Sequence, residues 1–191
     1  MMKWILAPML LLGYFQGIAQ CKLAHDSVDA FDSTRLVLGQ PVNIGYLIPS
    51  LYETVDGPKM IEEGKIIFSY AESEDSLVSF FLTLALPEYE FLVVDEGETV
   101  LLALSDSMIL GLNNFPDKGT FDPSTNMRVY QHTCVITINH FYRLLYYDIE
   151  RIRVRYRTKK RTIELSAAQR EAFKNSVRCV AEALDLLPLR P

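Results

Sequence analysis

The sequence predicts an α+β domain that is mostly β: an antiparallel sheet or sandwich with a short helix near 140–147 and an amphipathic C-terminal helix over 167–185. Three observations carry this. Short alternations of apolar and polar residues recur between positions 65 and 138, the period-two signature of strands with one buried face. Tight turn signals separate them at spacings too short for βαβ crossovers. After Ser166 the apolar positions switch to helical spacing.

Taken in order, Lys3, the apolar run Trp4 to Leu12 and the small residues of Gly17-Ile18-Ala19 read as a signal peptide over 1–19, with Gln20 as the new N-terminus. The run is too short for a stop-transfer helix, so no transmembrane segment is expected in the mature chain. The remainder, 20–191, suits a single β-rich exported domain that can bury roughly 70% of its unfolded surface. Residues 20–34 are polar, with Asp26, Asp29 and Asp32 spaced by three, and read as a leader or cap. Leu36 to Leu38 and Ile44 to Ile48 are short apolar runs parted by Gly39-Gln40-Pro41, and the Pro-, Gly- and acid-bearing stretch Pro49 to Gly64 reads mainly as loop.

Lys65 to Tyr70 is the first clear strand. In Leu77 to Leu86 one row is apolar through Val78, Phe80, Leu82, Leu84 and Leu86. Glu90 to Val94 and Thr99 to Leu104 flank the hairpin signal Asp95-Glu96-Gly97, and Met108 to Leu112 follows a second tight turn. These strands are expected to form an antiparallel meander. Asn113 to Asn126 reads as a long loop and Val129 to Ile138 as a strand. Asn139 can cap a helix from His140 to Tyr147. Arg151 to Arg157 is a strand, Thr158 to Arg161 a turn, and Thr162 to Leu165 can pair back. Ser166 and Gln169 make a capping box ahead of Phe173, Val177, Val180 and Leu184, which form one apolar stripe; Pro188 ends the helix.

The net charge of −5 conceals a polarity. Residues 20–150 carry 20 acidic against 7 basic side chains, whereas residues 151–191 carry 11 basic against 4 acidic. Either the basic end meets an anionic partner, or it packs beside the acidic body and the fold uses the complementarity itself. Nothing in the balance points to nucleic acid.

Three cysteines allow three single bridges and a leftover thiol. Cys134 sits on the apolar row of a strand, where a free thiol packs as a small hydrophobe. The expected pairing is Cys21 with Cys179, joining the N-terminal leader to the last helix. Ile18-Ala19-Gln20-Cys21 also looks like a lipobox, which would make Cys21 a lipid anchor. Gln20 is larger than the small residue such a box carries before its cysteine.

The candidate binding residues are Arg151, Arg153, Arg155 and Arg157. They alternate with Ile152, Val154 and Tyr156, so period two sends four guanidinium groups to one face, extended by Lys159, Lys160 and Arg161. Arginine forks bind phosphate, sulfate and carboxylate groups, which makes anionic lipid or polysaccharide the expected partner class. The alternative is a solvated face whose like charges discourage edge-to-edge aggregation. His25, His132 and His140 lack metal-ligand spacing, and His132-x-Cys134 reads as coincidence. No metal or cofactor is expected, and no G-x-S-x-G, H-E-x-x-H, P-loop or C-x-x-C occurs to name a catalytic residue.

The segment ending Ala19-Gln20-Cys21, Phe31-Asp32-Ser33-Thr34 after it, the β-rich middle, Ile138 to Leu145, Ile149-x-x-Ile152-Arg153 and the Cys179-bearing helix together resemble a group of small exported bacterial proteins with no established activity. The resemblance implies one β-rich domain and the Cys21–Cys179 pairing, and it implies no active site. The expected role is a non-enzymatic binding or interaction module of the cell envelope, periplasmic or at the cell surface. The alternatives are a hydrolase-like enzyme with an unrecognised site and a carrier of an apolar ligand within the sheet.

Overall fold

The computed structural model describes residues 21–75 and 77–187. The expected signal peptide, Gln20 and Pro188 lie outside the described residues. The strands are β1 (Leu23–Val28), β2 (Arg35–Gly39), β3 (Val42–Thr54), β4 (Gly57–Glu72), β5 (Val78–Glu88), β6 (Gly97–Leu104), β7 (Ile109–Asn114), β8 (Thr120–Asp122), β9 (Met127–Ile136), β10 (Ile149–Arg155) and β11 (Lys160–Glu164). Two helices, α1 (Ile138–Tyr146) and α2 (Ala167–Ala183), complete the α+β, mostly β fold.

The strands form one antiparallel sheet rather than a sandwich, in the order β1-β2-β4-β5-β9-β7-β6-β10-β11, with β3 on β4 and β8 on β9. The meander expectation fails at β9. The chain leaves β5, builds the β6–β7 hairpin further out, and returns through β9 to fill the gap between β5 and β7. Leu82 faces Cys134 and Leu84 faces His132 across the β5–β9 ladder. That register sets one continuous buried row, Phe80 to Leu86 beside Tyr130 to Ile136. The sheet curls strongly enough for Arg161 of β11 to donate to the Glu63 and Pro87 carbonyls, on β4 and β5.

Both helices lie over the concave side. In α1, Phe141, Leu144 and Leu145 are buried, and Phe141 stacks on Phe80 at 4.7 Å and on Phe68 at 5.8 Å between ring centroids. In α2, Phe173, Val177 and Val180 are buried, as the helical spacing predicts; Leu184, the fourth residue of the expected stripe, is half-buried against the core, and Ala181 is buried beside them. The capping box is present, with Ser166 accepting from Gln169 N and Gln169 accepting from Ser166 N. Ser176 Oγ donates to Gln40 O at 2.9 Å, and a side chain at Gly39 would collide with Ser176, so glycine lets α2 sit against β2. The Cys21–Cys179 disulfide is formed, with Cα atoms 5.1 Å apart, and Cys134 is free and buried.

Several elements differ from the sequence reading. The polar leader is strand β1, an edge whose partner is β2. Pro49 to Gly64 is not loop: it is the outer half of the long β3–β4 hairpin, which turns at Val55-Asp56 and packs Asn126 Nδ2 on Leu51 O. Glu90 to Val94 is not a strand. Leu92 N donates to the Tyr130 hydroxyl at 2.6 Å, and Val94 makes a single bridge to Asp117. The loop 113–126 contains β8. Thr137, not Asn139, caps α1, its side chain accepting from His140 N. The α2 helix closes at Leu184, ahead of Asp185 at φ 54°. Among the described residues, no helix is long and apolar enough to cross a membrane.

Candidate functional site

The basic end of the chain forms the β10–β11 hairpin, and period two sorts its cations onto opposite faces. On β10, Ile152 and Val154 are buried, so Arg151, Arg153 and Arg155 point to solvent. The turn from Tyr156 to Lys159 is closed by Tyr156 N donating to Lys159 O at 2.8 Å, and it resets the phase. On β11 the buried residue is Ile163, so Arg161 points inward while Lys160, Thr162 and Glu164 point outward. The register sets Arg151 opposite Glu164, Arg153 opposite Thr162, and Arg155 opposite Lys160.

The inward cations close on Glu88, whose side chain is 2% exposed. It accepts from Arg161 Nη1 at 2.9 Å, Lys159 Nζ at 3.2 Å and the Tyr156 hydroxyl at 3.0 Å. Arg161 Nη2 reaches the Glu63 carboxylate at 3.2 Å. Burial works against the Arg161 charge, yet the bonds and charges of Glu88 and Glu63 hold it above its ordinary range. Burial, with Glu88 beside it, raises the Tyr156 hydroxyl. Two carboxylates therefore meet here, but the Arg161 guanidinium sits between them and, with Lys159, balances both charges. The arrangement is a fastener between β11, β4 and β5.

His132 lies beside this cluster, its ring 5.2 Å from that of Tyr156 between centroids. It is fully buried, and neither ring nitrogen has a partner. Burial pushes its pKa down to about 4, against the upward pull of Asp117 and Glu88. Cys134 faces Asn114, and burial pushes its thiol up to about 12. Among the described residues no group of three or more His, Cys, Asp and Glu could hold a metal ion.

The outward face is smaller than the sequence suggests. Arg157 lies beyond the end of β10, where its fork meets Asp95 at 2.6 and 3.2 Å. That pairing lowers the Asp95 carboxyl and raises the guanidinium. Arg157 is thus an internal fastening, and Lys159 and Arg161 do not extend the patch. Arg151, Arg153, Arg155 and Lys160 remain, and none of them forms an ion pair among the described residues. Arg153 Nε donates to Thr162 Oγ1 at 3.0 Å, which orients its fork. Glu164 stands opposite Arg151, so the uncompensated charge centres on Arg153, Arg155 and Lys160. Directly opposed Cβ atoms lie about 4.5–5.5 Å apart, so the Arg155–Lys160 pair is a repulsive contact.

Sequence reasoning does not single out a second basic feature. Arg170, Lys174 and Arg178 recur every four residues along α2 and line a hollow of about 940 Å³ beside α1, with Leu145 and Leu187. Lys174 is held by Asp148 at 3.0 Å and Arg170 by Glu150 at 3.7 Å, so two of its three cations are already compensated. Set against known proteins, the chain matches no family model, no curated protein and no solved structure.

Proposed function

We propose that this chain is an exported, non-enzymatic module that holds an anionic partner on the outer face of the β10–β11 hairpin, with Arg153, Arg155 and Lys160 as its centre and Arg151 at its margin. One observation carries the reading: Arg155 and Lys160 are directly opposed like charges with no carboxylate partner among the described residues. Such a contact costs stability, and a bound phosphate, sulfate or carboxylate turns it into an attraction. The carboxylates Glu63 and Glu88, locked on Arg161, favour binding over acid–base chemistry. The concave side, filled by the Phe68, Phe80 and Phe141 stack, favours a packed core over an apolar carrier.

Export is supported by the Cys21–Cys179 bridge, because disulfides persist in oxidising compartments. The same bridge consumes the thiol that lipidation would need, which favours cleavage after Ala19 over a lipid anchor at Cys21. A likeness to the small exported bacterial proteins fits this address. The test is retention on a heparin-like polymer across salt. Binding should fade as the Debye length falls from about 10 Å at 0.1 M to about 3 Å at 1 M. The double variant Arg153→Gln, Arg155→Gln should elute at lower salt; unchanged elution, or no retention at low salt, overturns the reading. Intact-mass measurement of the exported protein should give a chain starting at Gln20, and a diacylglyceryl Cys21 would make it a lipoprotein instead.

A further inference from the structure

We infer that the partner of this face is a lipid surface carrying anionic headgroups, rather than a soluble polyanion. The inference rests on the proposed anion-binding reading and adds to it from the strands on the other side of β10. The register carries each arginine row onward across the sheet. Arg151 stands opposite Ala103 of β6, which stands opposite Ile109 of β7; Arg153 stands opposite Leu101, which stands opposite Gly111. Along β6 the buried residues are Val100, Leu102 and Leu104, so Leu101 and Ala103 share the outer face with the arginines. On β7 the buried residues are Leu110 and Leu112, so Ile109 shares it too, and it is 66% exposed. Met108, at the turn that joins the two strands, adds a second exposed apolar side chain.

The face is therefore two-part. Cations line the β10–β11 side, an apolar wing lines the β6–β7 side, and the two are one strand apart. A soluble sulfated or carboxylated polymer uses only the first part. A bilayer surface uses both, because phosphates sit at the level of the guanidinium forks while short apolar side chains enter the headgroup boundary beside them. Acidic side chains reach this surface at two places: Glu164 lies at the Arg151 end, and Glu98 folds over Gly111, on the β7 side of Leu101. Arginine suits this setting because its weakly hydrated fork holds phosphate bidentately.

The test compares three probes with the same protein: vesicles of anionic phospholipid, vesicles of zwitterionic phospholipid, and a heparin-like polymer. Anionic vesicles should bind best, and part of that binding should survive 1 M salt because the apolar wing is not screened. Each cation neutralised at Arg153 or Arg155 should weaken vesicle binding about fivefold. Ile109→Ser should weaken vesicle binding on the order of tenfold and leave polymer retention unchanged. In the chain from Gln20 onward, which lacks the single tryptophan Trp4, Ile109→Trp should tighten vesicle binding and shift its fluorescence to the blue on binding. Polymer retention with no vesicle binding, vesicle binding that Ile109→Ser leaves intact, or a bound Ile109→Trp protein with unshifted emission each overturn the lipid inference while the anion-binding reading stands. Failure of both probes at low salt overturns the underlying reading instead.

Discussion

The two faces of the β10–β11 hairpin carry the same residue types and put them to opposite uses. Inside, Arg161 and Lys159 are consumed by Glu88 and Glu63, with the Arg161 side chain 14% exposed. Outside, Arg153, Arg155 and Lys160 face water with no carboxylate on them among the described residues. Charge count does not distinguish the two sets; burial and partnership do. A buried pair broken on one side leaves an uncompensated charge in a low dielectric, whereas an exposed cation removed is replaced by water at little cost. The inner face should therefore answer in stability and the outer face in binding.

The largest effect expected from breaking this comparison is at Arg161. Arg161→Leu strands Glu63 and weakens the hold on buried Glu88, and should cost about 3–5 kcal/mol. In a domain of this size that lowers the melting temperature by about 6–20 °C. Arg153→Leu, the matched outer change, should stay within about 0.5 kcal/mol. Thermal denaturation of the two variants side by side decides it, and equal shifts would remove the distinction between the faces.

Next comes the clamp that holds α2, and with it the concave wall, against the N-terminal edge. Cys21 and Cys179 are 158 positions apart, so their bridge closes almost the whole domain. Cys179→Ser, or reduction, should cost about 2–5 kcal/mol. The measurement is a denaturant titration with and without reductant. A midpoint that reductant leaves unmoved would mean the leader is held by packing alone.

Of comparable size is a pH effect beside the inner cluster, where His132 packs on Tyr156. His132 is held neutral by burial, its folded pKa of about 4 lying below the ordinary 6.5. A depressed histidine pKa means the unfolded chain takes up the proton first. Its contribution is therefore complete above about pH 6.5 and is lost as pH falls from there toward 4, by about 3 kcal/mol. His132→Leu should flatten that part of the stability profile. A wild-type profile already flat between pH 6.5 and 4 would show that the ring is not held neutral.

How far this comparison was legible in the sequence follows from where local periodicity is decisive. The Arg151 to Arg155 alternation and the Ser166–Gln169 box are local patterns, and both hold. Arg157 escaped because its partner Asp95 lies 62 positions away; Lys159 and Arg161 escaped because the turn at 156–159 shifts the phase by one, and one residue of slip sends a side chain to the other face. Nothing local marks Glu88 as the partner of Lys159 and Arg161; it lies more than 70 positions away. Pro49 to Gly64 was opaque for a different reason. Pro49 sits on β3 and Pro58 beside the hairpin turn, where a missing N–H is tolerated, so residues that normally punctuate loops occur inside strands. The exposed β1 edge shows no clean alternation to read.

The smallest expected stability effect is the one that separates function from architecture most sharply. Arg155 and Lys160 oppose each other directly, and like charges so placed are destabilising. Lys160→Thr should therefore leave the protein unchanged or raise its stability by about 0.2–1 kcal/mol at low salt. That gain should shrink as salt screens the pair, because both groups are exposed. The same change should weaken retention on a heparin-like polymer, since it removes one of the three central cations. A side chain whose loss stabilises the fold and weakens capture is held in place by its ligand rather than by the sheet. Were Lys160→Thr to lower stability and leave retention untouched, the outer cations would belong with the inner ones as part of the framework, and the difference between the two faces would be one of exposure alone.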